Sequence, residues 1–189
     1  MFPVKVGVKG ATALVAGDAF TCALADGTTW CWGQGNSGQM GNGTVTATNQ
    51  YPVRVEGNGA SVDLVAGTNT VCTIDTDGNA WCWGANNLYQ VGNGSTGNAT
   101  RPVQVAMDSS EPVTAIAPGA NHTVAAVGGI LSPVQLPKLT NKKMSLPINA
   151  WGLNSSYQLG TGSNTNSLVP AMVNWSPDGD VSQVVAGDG

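Results

Sequence analysis

The chain has few charges, one histidine and no long apolar run. Lys and Arg together number 7 and Asp and Glu 11 among 189 residues, for a formal net charge of −4. Nucleic-acid binding draws its affinity from clustered cations that neutralise phosphates, so this balance speaks against a phosphate backbone as ligand. No apolar stretch approaches the length needed to cross a bilayer. The opening Met1-Phe2-Pro3-Val4-Lys5-Val6 lacks the basic and then apolar regions of a secretion signal. With His122 as the one histidine, a serine or cysteine nucleophile has little choice of base, and no pair of acids recurs at a spacing that suggests acid and base roles. The expectation is a non-catalytic chain with no cofactor and no metal.

What the chain has in abundance is glycine, 26 residues of it, and a repeated pattern. Trp32-Gly33, Trp83-Gly84 and Trp151-Gly152 are followed by Gln39-Met40-Gly41-Asn42-Gly43, Gln90-Val91-Gly92-Asn93-Gly94 and Gln158-Leu159-Gly160-Thr161-Gly162. Self-similarity at a period of about fifty residues signals a propeller or solenoid whose units bury their apolar faces only against neighbours. The Ala-Gly or Pro-Gly anchors place Gly17, Gly67, Gly119 and Gly187 at intervals of 50, 52 and 68 residues, so the third unit alone is long. Residues 13–62, 63–114 and 115–182 read as three repeats, with an insertion at about 129–148 in the third. Residues 1–12 match the tail of a preceding repeat and 183–189 the start of a fourth, which suggests a piece of a longer protein.

Each unit reads as four short strands. Asp26-Gly27 between two β-rich runs predicts a tight hairpin, because both central positions of the favoured turn need positive φ. The Pro-x-x-Val segments at Pro52, Pro102 and Pro170 supply the fourth strand, with proline expected at its start, where a ladder hydrogen bond is dispensable. Hairpin register then sets Cys22 opposite Cys31, and a three-residue loop, Thr76-Asp77-Gly78, sets Cys72 opposite Cys82. The third unit has Val124 and Ala150 at the equivalent places, so both cysteines are absent together. Two readings stand: small buried apolar residues, or disulfides. Joint loss favours disulfides, and these point to an oxidising compartment, extracytoplasmic or secreted. Zinc is disfavoured, since no third cysteine or nearby histidine completes a coordination set.

The ordered set Ala16-Gly17, Phe20-Thr21-Cys22-Ala23-Leu24, Asp26-Gly27, Trp32-Gly33, Gly38-Gln39-Met40-Gly41 and Tyr51-Pro52-Val53-Arg54-Val55 resembles the regulator of chromosome condensation repeat. The third unit carries Gly119, Asn121-His122-Thr123, Trp151-Gly152 and Gln158-Leu159-Gly160 in the same order. The resemblance implies an all-β, partial β-propeller: three four-stranded antiparallel blades of a seven-bladed ring, with open faces at both ends. It also implies one possible activity, guanine nucleotide exchange on a Ran-like small GTPase.

His122 takes the register place of Phe20 and Thr70 and is expected to be a hydrogen-bonded strand residue. Gly33-x-Gly35-x-x-Gly38 spells a dinucleotide fingerprint but lacks the helix that would receive a pyrophosphate, so it reads as a turn. Trp32, Trp83 and Trp151 hold one register and are expected to pack between blades. Trp30 and Trp81, replaced by Asn149 in the third unit, are candidates for contact with a partner. So are Lys138, Lys142 and Lys143, which make the insertion a basic, acid-free protrusion on an acidic body. The insertion also replaces the third unit's Asp-Gly hairpin, leaving its middle strands to pair less regularly or across a long loop. The function expected is a protein-interaction scaffold with an unknown protein partner, or with further blades or copies of itself. The alternatives are the exchange factor and an inhibitor of an extracellular enzyme.

Overall fold

The computed structural model describes residues 5–107, 112–128, 147–174 and 183–187. Three antiparallel four-stranded sheets follow one another along the chain. The first holds β1 (Ala11–Ala16), β2 (Phe20–Ala25), β3 (Thr28–Gly35) and β4 (Thr46–Arg54). The second holds β5 (Ser61–Ala66), β6 (Thr70–Asp75), β7 (Ala80–Gly84) and β8 (Ala99–Gln104). The third holds β9 (Val113–Pro118), β10 (His122–Val127), β11 (Ile148–Gly152) and β12 (Ser167–Met172). Strands pair in chain order within every sheet, which is the meander of a propeller blade.

The first strands meet at the hub, where β5 packs against both β1 and β9. Each runs into an anchor glycine there. At Gly67 the carbonyls of Pro118 and Gly119 fill the space a Cβ would need, and at Gly119 the carbonyl of Gly187 does the same. Larger apolar side chains fill the space between sheets: Leu64, Val71, Cys72, Trp83, Ile116 and Trp151 belong to one continuous buried cluster.

Hairpin register follows the turn chemistry. Asp26 and Gly27 both have positive φ, 50° and 71°, and Cys22 opposes Cys31. Cys72 opposes Cys82 across the longer loop. In the third blade Val124 opposes Ala150, and β10 and β11 pair residue for residue from His122↔Gly152 to Ala126↔Ile148 without a bulge. The insertion therefore does not loosen these strands: hydrophobic alternation and the neighbouring strands fix the register without a tight turn. Prolines depart from expectation. Pro52, Pro102 and Pro170 lie inside β4, β8 and β12 rather than at their starts. These are the outermost strands of their sheets, where one side of the backbone has no ladder to lose.

Candidate interaction surface

One irregularity recurs between third and fourth strands. Pairing is Cys31↔Val53 then Gly33↔Asn49, Cys82↔Val103 then Gly84↔Ala99, and Ala150↔Ala171 then Gly152↔Ser167. The residue skipped each time is Trp32, Trp83 or Trp151. Bulges re-aim side chains, and here the following glycine, at φ 103°, 104° and 106°, takes a backbone shape that side-chain-bearing residues rarely adopt. The tryptophan is thereby turned toward the preceding blade. Trp83 donates its indole N–H to the Gln39 carbonyl at 2.9 Å, and Trp151 donates to the Gln90 carbonyl at 2.8 Å. Both rings are fully buried.

The glutamine of each docking loop is held in the same way. Gln39 Oε1 accepts from the Ser37 N–H at 2.8 Å while its amide donates to Asn69 Oδ1 of the next blade at 3.0 Å. Gln90 Oε1 accepts from the Leu88 N–H at 2.9 Å and its amide donates to the Ala120 carbonyl at 3.2 Å. Gly43 and Gly94 add backbone bonds to Thr100 and Leu168 of the next blade. Buried amides and indoles are tolerated only when satisfied, so each joint is a fixed set of donors and acceptors around an apolar centre. Sequence reading placed the tryptophans between blades and missed the role of Gln39 and Gln90. Their recurrence three times at one register was the signal.

Cys22–Cys31 and Cys72–Cys82 are disulfides, each joining the two middle strands of its blade. Trp81 is half-buried and donates its indole N–H to Asp75 Oδ2 at 2.9 Å. Burial raises the Asp75 pKa, but hydrogen bonds from Trp81, from the Asn79 side chain and backbone, and from the Asp77 backbone outweigh it and hold it below the ordinary value. Trp30 has Ala25 where Trp81 has Asp75. It lies with Tyr51, Arg54, Lys9 and Asp26 around an open cleft on the first sheet. Tyr51, 77% exposed, was not among the residues the sequence singled out. Lys138, Lys142 and Lys143 lie outside the described residues.

His122 is the strand residue expected, with its carbonyl accepting from the Gly119 N–H at 2.8 Å. It sits on β10 and is buried, yet its Nδ1 has no hydrogen-bond partner among the described residues. Burial pushes its pKa below the usual 6.5. The folded state then binds fewer protons than the unfolded chain, so the contribution is intact above about pH 6.5 and is lost as pH falls through the unfolded value toward the folded one. His122→Phe, which copies the buried Phe20 of the first blade, is expected to remove this acid-side loss. Thermal unfolding of both proteins over that range measures it, and an unchanged profile would refute the assignment.

Sheets of this connectivity, packed about a hub and latched by indole-to-carbonyl bonds, define a run of β-propeller blades. The blades are also identifiable by kind. Residues 26–74, 77–126 and 150–189 match the family model described as the regulator of chromosome condensation (RCC1) repeat, and the chain belongs to that family. The human E3 ubiquitin-protein ligase HERC2 is 27% identical over 176 residues, which cover 91% of this chain and 3% of HERC2. The crystal structure of human WBSCR16 matches with a TM-score of 0.73 at 17% identity, over 97% of this chain and 44% of that one. Yeast RCC1 (Prp20), solved bound to Kap60, matches with a TM-score of 0.69 at 20% identity, over 89% and 38%. The chain thus spans less than half the length of each of these relatives.

Proposed function

We propose that the chain is a non-catalytic propeller scaffold for protein–protein interaction that works in an oxidising, extracytoplasmic setting. The observation carrying this reading is that, among the described residues, the cysteines, the buried acid Asp75 and the histidine are built into the strands and turns. The four cysteines are held in two disulfides, Asp75 caps a hairpin loop, and His122 is buried on a strand. Disulfides persist where thiols are not kept reduced, which supports the compartment. Trp30 and Trp81 are assigned to partner contact because aromatic side chains are enriched at interface hot spots, and Lys138, Lys142 and Lys143 because they form an acid-free basic segment of an acidic chain.

A nucleotide-release assay separates this reading from its competitor. The chain is expected to leave the dissociation rate of a fluorescent guanine nucleotide from a Ran-like GTPase unchanged. Acceleration would replace the scaffold reading with exchange activity. Thiol labelling of the protein taken from its cell, before and after reduction, tests the compartment: free thiols before reduction would exclude it.

A further inference from the structure

Five Asn-x-Ser/Thr triplets lie wholly within the described residues, beginning at Asn42, Asn93, Asn98, Asn121 and Asn154. Such a triplet is the acceptor pattern for attachment of an oligosaccharide to the asparagine side chain, which needs room at the surface. The structure divides the five. Asn154 is fully buried, and its amide nitrogen donates to the carbonyls of Ser163 at 2.7 Å and Thr165 at 3.0 Å. The hydroxyl of the Asn121 triplet, on Thr123, is equally buried and donates to the Gln90 carbonyl at 2.8 Å. Asn98 Oδ1 accepts from the Asn86 N–H at 3.0 Å, and the two residues after it run straight into β8.

Asn42 and Asn93 differ from these three. They hold one place in successive blades, three residues after Gln39 and Gln90, in the loop between third and fourth strands. Asn42 Oδ1 accepts from the Thr44 N–H at 3.2 Å and from the Thr44 hydroxyl at 2.7 Å, and Asn93 Oδ1 accepts from the Ser95 N–H at 3.1 Å. This is an Asx turn, which folds the triplet so that the residue bearing the hydroxyl meets the amide. Neither Nδ2 has a hydrogen-bond partner among the described residues. The buried side-chain atoms that lack one there are Thr29 Oγ1 and His122 Nδ1, so both Nδ2 atoms face water. Thr44 and Ser95 are exposed. Each loop sits at an internal joint, with Gly43 and Gly94 bonded to Thr100 and Leu168 of the following blade, so described blades flank both.

We propose that Asn42 and Asn93 are N-glycosylation sites, a proposal that rests on the extracytoplasmic reading above. In the transfer, Nδ2 attacks the anomeric carbon of an oligosaccharide carried on a polyprenyl diphosphate. A carbon–nitrogen bond forms, the bond from that carbon to the diphosphate oxygen breaks, and the lipid diphosphate leaves with the electron pair. Nδ2 gives up one proton to a base of the transferase, and nothing is oxidised or reduced. The turn needs only bonds between residues two apart, so it closes before the blade does. The folded blade then decides where a sugar stays: there is room on Asn42 and Asn93 and none on Asn154. The meander sets the loop after the third strand and the hairpin before it at opposite ends of a blade. Glycans on Asn42 and Asn93 therefore stand away from the end bearing Asp26, Trp30 and Trp81, and leave that end open to a protein partner.

Peptide mass mapping of the protein taken from its own cell tests the proposal. A glycan-releasing amidase acting in heavy-oxygen water turns each sugar-bearing asparagine into a labelled aspartate. Label is expected at Asn42 and Asn93 and at none of Asn98, Asn121 and Asn154. Thr44→Val, which keeps the shape of an exposed side chain and removes its hydroxyl, should lose the label at Asn42 and retain it at Asn93. Thr44→Ser should keep both. A protein with Cys22–Cys31 and Cys72–Cys82 closed and no label at Asn42 or Asn93 overturns the proposal and leaves the compartment reading standing. Label at Asn154 in the folded protein, or label at Asn42 that survives Thr44→Val, overturns it equally. Free thiols before reduction would instead remove the compartment, and this proposal with it.

Discussion

Reduction of the two disulfides is expected to lower the unfolding free energy by about 5 kcal/mol. Cys22–Cys31 and Cys72–Cys82 close loops with sequence separations of 9 and 10. On the chain-entropy account, loops of this size remove about 2 to 3 kcal/mol each from the unfolded ensemble's advantage. Small domains are stable by about 5 to 15 kcal/mol in total, so losing both bonds takes a large share. The four sulfurs also sit in the buried cluster at 0% exposure, where separated thiols pack less closely. Urea unfolding with and without reductant measures the effect. A Cys22→Ala, Cys31→Ala double variant should lose about half of it. An unchanged midpoint in reductant would show that the bonds contribute nothing.

The second large effect is at the joint. Trp83→Ala is expected to cost about 3 to 5 kcal/mol, the usual range for truncating a buried aromatic, and to strand the Gln39 carbonyl that accepts its N–H at 2.9 Å. Trp32→Ala removes the same side chain at the same register from a half-open face. It should cost less than Trp83→Ala, because part of the ring already faces solvent and its N–H has no acceptor among the described residues. Comparing the two unfolding midpoints isolates the value of a closed joint. Equal losses would mean that the tryptophan acts within its own sheet and that the indole bond to the neighbouring blade is incidental.

Much of this architecture is legible in the chain because its determinants are local and repeated. Asp26-Gly27 sets a turn, the turn sets register, and register brings Cys22 to Cys31; no long-range information is needed. The proline positions were not legible in the same way. Whether Pro52 starts a strand or lies inside one depends on which edge faces away from the sheet, a property of the assembled blade. His122 shows the same limit: its register was readable, but the lack of a partner for Nδ1 depends on what packs over β10. At the candidate surface, Trp30 and Trp81 look equivalent in sequence, and only the fold shows that Asp75 ties down the second while the first opens onto a cleft with Tyr51. The docking glutamines were hidden for another reason. The atom that accepts the indole proton is a main-chain carbonyl, and no residue type advertises that.

The anchor glycines carry a final consequence. At Gly67 the carbonyls of Pro118 and Gly119, and at Gly119 the carbonyl of Gly187, leave no room for a side chain beside the axis. Substitution at these two glycines collides with a neighbouring blade before it can add new chemistry, so a mutational survey that begins at the axle meets breakage first.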